Sequence, residues 1–180
     1  AWMQDSMHML LARAVHEGDL QDQVDLGPTL EYLQGIESAT AGVALGEHAL
    51  ASGDLEAAIE QAERAEAIAE RRGRRPEVAM ALELQVRIQI AEGNYEAALL
   101  AARRGAELAE AANYRPLLWQ LHAQEATALE ELGRADEAGI VRVNAAEIIS
   151  EIAGNVSDDD LRNTFLTSPA VGAVLEQAES

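Results

Sequence analysis

Gly53-Asp54-Leu55-Glu56-Ala57-Ala58 returns as Gly93-Asn94-Tyr95-Glu96-Ala97-Ala98 and, more loosely, as Gly133-Arg134-Ala135-Asp136-Glu137-Ala138. Both steps are 40 residues long (93 − 53 and 133 − 93), and Arg75-Pro76 returns as Arg115-Pro116 at the same interval. Two unrelated markers sharing one period identify an internal repeat, which is the mark of stacked supersecondary units.

Each unit reads as two helices and two turns. Pro76 and Pro116 open the first helix, where a missing N–H costs little because that N–H would have no intrahelical partner. About 16 residues later a glycine supplies the positive φ that ends the helix. Asp54 and Asn94 then stand where a side-chain acceptor caps the returning helix, whereas Arg134 caps poorly in the third unit. The returning helix over 55–71 places Ala58, Ala62, Ala65 and Ala69 at spacings of three and four, so small residues let a neighbour approach closely. Over 77–91 the pattern is different, because Leu84, Val86, Ile88 and Ile90 alternate with Glu83, Gln85, Arg87 and Gln89 in a strand-like period. The register with the other two units still predicts a helix there, one that meets neighbours on both flanks.

Outside the repeats the pattern loosens. Residues 1–37 read as a degenerate helical unit: Gly18-Asp19-Leu20 echoes the turn, Gly27-Pro28 breaks the chain, and helices are expected over 3–16 and from Thr29. Three hairpins occupy 38–153. Residues 154–180 should form two short capping helices, one behind a Ser157/Asp160 capping box and one behind Ser168-Pro169.

Composition agrees with an all-α chain and narrows its chemistry. Of 180 residues, 48% are hydrophobic but only 3% aromatic, so the core is built from Ala, Leu, Ile and Val. A net charge of -19 repels phosphate backbones and argues against nucleic acid as a partner. Every basic residue is Arg, which removes the P-loop lysine and Schiff-base chemistry, and the absence of Cys removes thiol nucleophiles, thiolate zinc sites and disulfides. The first residues lack the basic start of a signal peptide, and no apolar run is long enough to span a bilayer. The expectation is a cytoplasmic chain without membrane contact, and the initial Ala fits a segment of a longer protein.

Leu45, Gly46, Ala49, Gly53, Ala58 and Ala65 fall where the tetratricopeptide (TPR) repeat has its Leu-Gly, small, Gly, Ala and Ala positions. This unit resembles that family. The second unit keeps Gly93, Tyr95 and Ala98 but carries Gln85-Val86 at the Leu-Gly pair, and the third keeps Gly133, Ala138 and Ala145 but carries Glu125-Ala126. The 40-residue period and the tail from Glu147 to Pro169 are similar to repeat regions of large bacterial signalling proteins such as STAND-type ATPases, nucleotide cyclases and transcriptional activators. The resemblance covers about residues 38–175. It implies antiparallel helical hairpins stacked as a short right-handed TPR-like α-solenoid, with a regulatory, protein-binding role.

The same resemblance implies that the first helix of each hairpin lines a partner-binding groove. The positions are Thr40, Val43, Glu47 and Leu50; Met80, Glu83, Arg87 and Ile90; and Gln120, Ala123, Thr127 and Glu130. The competing reading is that these residues pack against a terminal helix. A second candidate is an anion-binding edge of Arg71, Arg72, Arg74, Arg75 and Arg115, whose guanidinium forks suit carboxylates or phosphates. Its plainer reading is that Arg near a helix C-terminus opposes the macrodipole and pairs with abundant Glu. A third is the apolar set Leu161, Phe165, Leu166, Val171, Val174 and Leu175, either a cap on the last hairpin or a self-association surface. His8 and His16 are too far apart to share a metal, His48 and His122 occupy different repeat positions, and no catalytic set emerges. The expectation is therefore a non-catalytic scaffold without cofactor or metal, binding a protein or peptide. The alternative is a homo-oligomerisation module that pairs chains through the C-terminal helices.

Overall fold

The computed structural model describes residues 38–178. The unit read over 1–37, with its turn, its Gly27-Pro28 break, its two helices, His8 and His16, lies outside them.

Ser38 starts the described chain by accepting the Ala41 N–H on its hydroxyl oxygen at 3.0 Å, so a helix begins at the next residue. The helices are α1 (Ala39–Ser52), α2 (Leu55–Arg71), α3 (Arg75–Ala91), α4 (Tyr95–Ala111), α5 (Arg115–Glu131), α6 (Ala135–Gly154), α7 (Asp159–Leu166) and α8 (Pro169–Ala178). Among the described residues there is no strand. Turns of two or three residues join α1 to α6, and consecutive helices lie along one another as hairpins: α1 along α2, α4 along α5 and α5 along α6.

The turns show a finer period than the one in the sequence. Gly53, Gly73, Gly93, Asn113 and Gly133 all have left-handed φ, from 53° to 81°, and each stands 20 residues after the last (73 − 53, 93 − 73, and so on). At every one of the five turns the next residue's N–H reaches back to the carbonyl five residues earlier, as in Asp54 to Ala49, Asn94 to Gln89 and Tyr114 to Ala109. These are Schellman closures, which satisfy the carbonyls orphaned at a helix end. The repeat is thus two backbone-equivalent halves, and among the described residues only Asn113 adopts the left-handed conformation without being glycine.

At the helix starts the sequence expectations divide. Asp54 accepts the Ala57 N–H at 3.1 Å as expected. Asn94 makes no such cap, and its Nδ2 donates instead to Glu92 at 3.3 Å. Arg134 cannot accept an N–H, and it holds Glu137, three residues on, through two bonds of 2.8 and 2.7 Å. The cap of α7 is Asp158, which accepts from Leu161, and not Ser157; a carboxylate one residue nearer the helix takes the role. At α8 the Ser168 carbonyl accepts the first helical N–H, from Gly172 at 2.8 Å, while the Ser168 hydroxyl donates back to the Phe165 carbonyl at 2.8 Å.

The chain divides inside α3, between Ile88 and Gln89, into two compact units. In the first, Ala58, Ala62, Ala65 and Ala69 of α2 are fully buried. Gly42 and Gly46 of α1 bring that helix onto them, and a Cβ on Gly46 would lie 2.5 Å from Cδ2 of Leu84 in α3. The strand-like alternation in α3 follows from its surroundings. Leu82, Leu84, Val86 and Ile88 are all buried, so the helix has no single apolar stripe, while its polar residues find polar partners, Gln85 donating to Glu66 at 2.6 Å and Arg87 to Glu47 at 3.1 Å.

In the second unit Ala98, Ala102 and Ala109 repeat the buried alanines of α2 forty residues on, with Trp119, Leu121, Leu129 and Ile149 completing the core. The last hairpin is covered by α8, and to a lesser degree by α7.

Candidate interaction site

In the first unit α1 and α3 bring three of the proposed groove residues together. Glu47 and Arg87 occupy the same repeat position, 40 residues apart, and the Arg87 guanidinium bonds Glu47 at 3.1 Å and stands 3.8 Å from Glu83. Arg87 and Glu47 are partly exposed, while Glu83 is only 7% exposed, so the cluster sits at the rim of the core and not in open solvent. Thr40, Leu50 and Met80 are half-buried on the same two helices, Met80 packing against the buried set of Val43, Ala65 and Ala81 and Leu50 against Ala49, Ala58 and Leu84.

The other proposed positions belong to the second unit. Ile90, Gln120 and Ala123 are half-buried. Thr127 is exposed and its hydroxyl donates to the Ala123 carbonyl at 3.1 Å, while Glu130 is paired with Arg142.

A second ionic cluster in this unit was not singled out from the sequence. Glu125, 6% exposed, accepts a 2.7 Å bond from Arg103 of α4, and Nδ1 of His122 stands 3.5 Å from its other oxygen. Arg103 also lies 3.8 Å from Glu137, which the Arg134 fork grips. Burial pushes the Glu125 carboxyl up, but the contacts and charges of His122 and Arg103 outweigh it, so the group ends below the ordinary carboxylate range. Glu137 is lowered too, chiefly by its hydrogen bonds from Arg134. One signal was available: Glu125 stands at the repeat position of Leu45 and Gln85, and a carboxylate where the first unit has a buried Leu requires a partner.

The arginines of the proposed edge belong to both units. Arg71, Arg72, Arg74 and Arg75 are exposed around the α2–α3 turn, with Arg74 bonded to Glu77 at 2.7 Å. Arg115 lies in the second unit, 3.5 Å from Glu151. Of the C-terminal apolar residues, Val171 and Val174 are buried, Phe165, Leu166 and Leu175 are half-buried, and Leu161 is 64% exposed.

No protein-family model, curated protein or solved structure matches this chain. Among the described residues no three potential ligands are gathered as a metal site, and no helix is long and apolar enough to cross a membrane.

Proposed function

We propose that the chain is a TPR-like interaction scaffold, which receives a protein or peptide segment on the face shared by α1 and α3, and that it serves as a regulatory region of a larger bacterial signalling protein. The observation that carries this reading is the Glu47–Arg87–Glu83 cluster on the two helices that also carry half-buried Thr40, Leu50 and Met80. Such a face combines apolar area with oriented donors and acceptors, the composition of a peptide-binding surface. The two buried carboxylates among the described residues, Glu83 and Glu125, each have an arginine beside them. That arrangement holds charge in place and suits recognition better than proton transfer.

Pairing of chains through the C-terminal helices has less support, because Val171 and Val174 bury their apolar surface within the chain. The test is selection of peptides from a displayed library on the intact chain, followed by titration against Glu83→Ala/Arg87→Ala and against Leu50→Ser/Met80→Ser. Selected peptides should lose about tenfold or more in affinity for both variants, a loss of about 1.4 kcal/mol. Equal affinity for wild type and both folded variants would remove the site.

A further inference from the structure

The second unit carries an apolar surface that the α1–α3 face does not use. Ile140 and Val143, 65% and 44% exposed, lie one turn apart on the outward side of α6. Val143, but not Ile140, lines an open, shallow groove of about 730 Å³ between α6 and α8, together with Ala146, Ser150, Leu175 and Ala178. Glu147 and Glu151 stand along the same side of α6 and line its margin.

We infer that this groove docks a cationic amphipathic helix of a partner protein. An open groove beside a helix, apolar at Val143, Ala146, Leu175 and Ala178, matches the apolar stripe of another helix, whose anchors recur at three- and four-residue spacing. The occupant's charge follows from the margin. Arg115 reaches Glu151 at 3.5 Å and leaves that side chain 57% exposed, while Glu147 is exposed and has no arginine partner among the described residues. Lys or Arg flanking the apolar stripe of the incoming helix therefore meets carboxylates on the rim, within a chain whose net charge is -19. A second copy of this chain brings the same negative charge to the contact and is disfavoured on that ground.

The test uses the full chain and fluorescein-labelled Leu/Lys peptides of about 18 residues, roughly five helical turns, read by anisotropy at about 0.15 M salt. One peptide has Leu at helical spacing and one has the same composition scrambled, and a Leu/Glu analogue carries the opposite charge. The patterned Leu/Lys peptide should bind at least about tenfold more tightly than the other two. Ile140→Ser/Val143→Ser, which leaves charge unchanged and alters only exposed side chains, should remove that preference, and Glu147→Arg should weaken the patterned peptide alone.

Equal binding of patterned and scrambled peptides, or unchanged binding to a folded Ile140→Ser/Val143→Ser chain, would reduce the effect to diffuse charge and overturn the inference. A wild-type dimer in light scattering that becomes a monomer in that variant would overturn it too, by making a second copy the occupant.

Discussion

Gly46→Ala and Gly139→Ala are the same chemical change inside a helix, and the structure assigns them opposite signs. Replacing an interior Gly by Ala favours the helix by about 1 kcal/mol. At Gly139 a Cβ would meet nothing within 4 Å, so the variant should gain about that amount. At Gly46 the new carbon would sit 2.5 Å from Leu84 Cδ2 and 3.4 Å from both the Ala58 carbonyl and the Gln61 Cβ. Leu84 is fully buried in a cluster with Ala49, Ala58, Ala62 and Ile88, so its methyl has nowhere to move without disturbing them. Overpacking of this kind costs about 2 kcal/mol, which leaves a net loss of about 1 kcal/mol. The assay is urea unfolding of the full chain followed by circular dichroism. A cycle with Leu84→Ala isolates the contact: once the methyl is gone, Gly46→Ala should no longer destabilise, giving a coupling of about 2 kcal/mol. Additive effects in the cycle, or stabilisation by Gly46→Ala equal to that of Gly139→Ala, would refute the packing argument.

Three further outcomes follow from the geometry. Asn113→Gly should raise the thermal midpoint, stabilising by up to about 1 kcal/mol, because asparagine there adopts φ 53°, while Asn113→Val should lower it; a lower midpoint for the Gly variant would contradict the turn assignment. Glu125 is held below its ordinary range, so its contribution is complete above an unfolded value of about 4.3 and is lost as pH falls through the lower folded value. Glu125→Gln should therefore be less stable than wild type by about 1 kcal/mol at neutral pH and approach it in acid, and a gap that does not change with pH would exclude the ion pair as the cause. Asp158→Ala should speed amide exchange in α7, with a loss of about 1 kcal/mol, and Ser157→Ala should not; the reverse order would restore Ser157 as the cap.

The hairpins were legible in the sequence because glycine at 53, 93 and 133 and proline at 76 and 116 mark the same points of each unit. The half-period was hidden because the intervening turns use Gly73 once and Asn113 once, which share a backbone conformation but not a residue type. Adjacent acceptors at Ser157 and Asp158 left the cap of α7 open to a one-residue error, since either side chain has the chemistry. The Glu47–Arg87 contact could be anticipated from register, whereas Arg103 and Glu125, 22 residues apart on facing helices, meet only once α4 and α5 are packed. The groove beside α6 was beyond reach of pattern reading, because it depends on where α8 comes to rest.

The equal spacing of the left-handed turns also sets how the chain can change length. Helices α2 to α5 are each 17 residues long and each is followed by three turn residues. A single inserted residue within one of them would rotate everything after it by about 100° on the helix axis. Excising residues 75–114 would instead join Arg74 to Arg115, behind a turn whose closing bonds, Gly73 to Glu70 and Arg74 to Ala69, are already in place. Tandem duplication or loss in whole 40-residue steps is thus the form of length variation that leaves every helix intact and its direction unchanged.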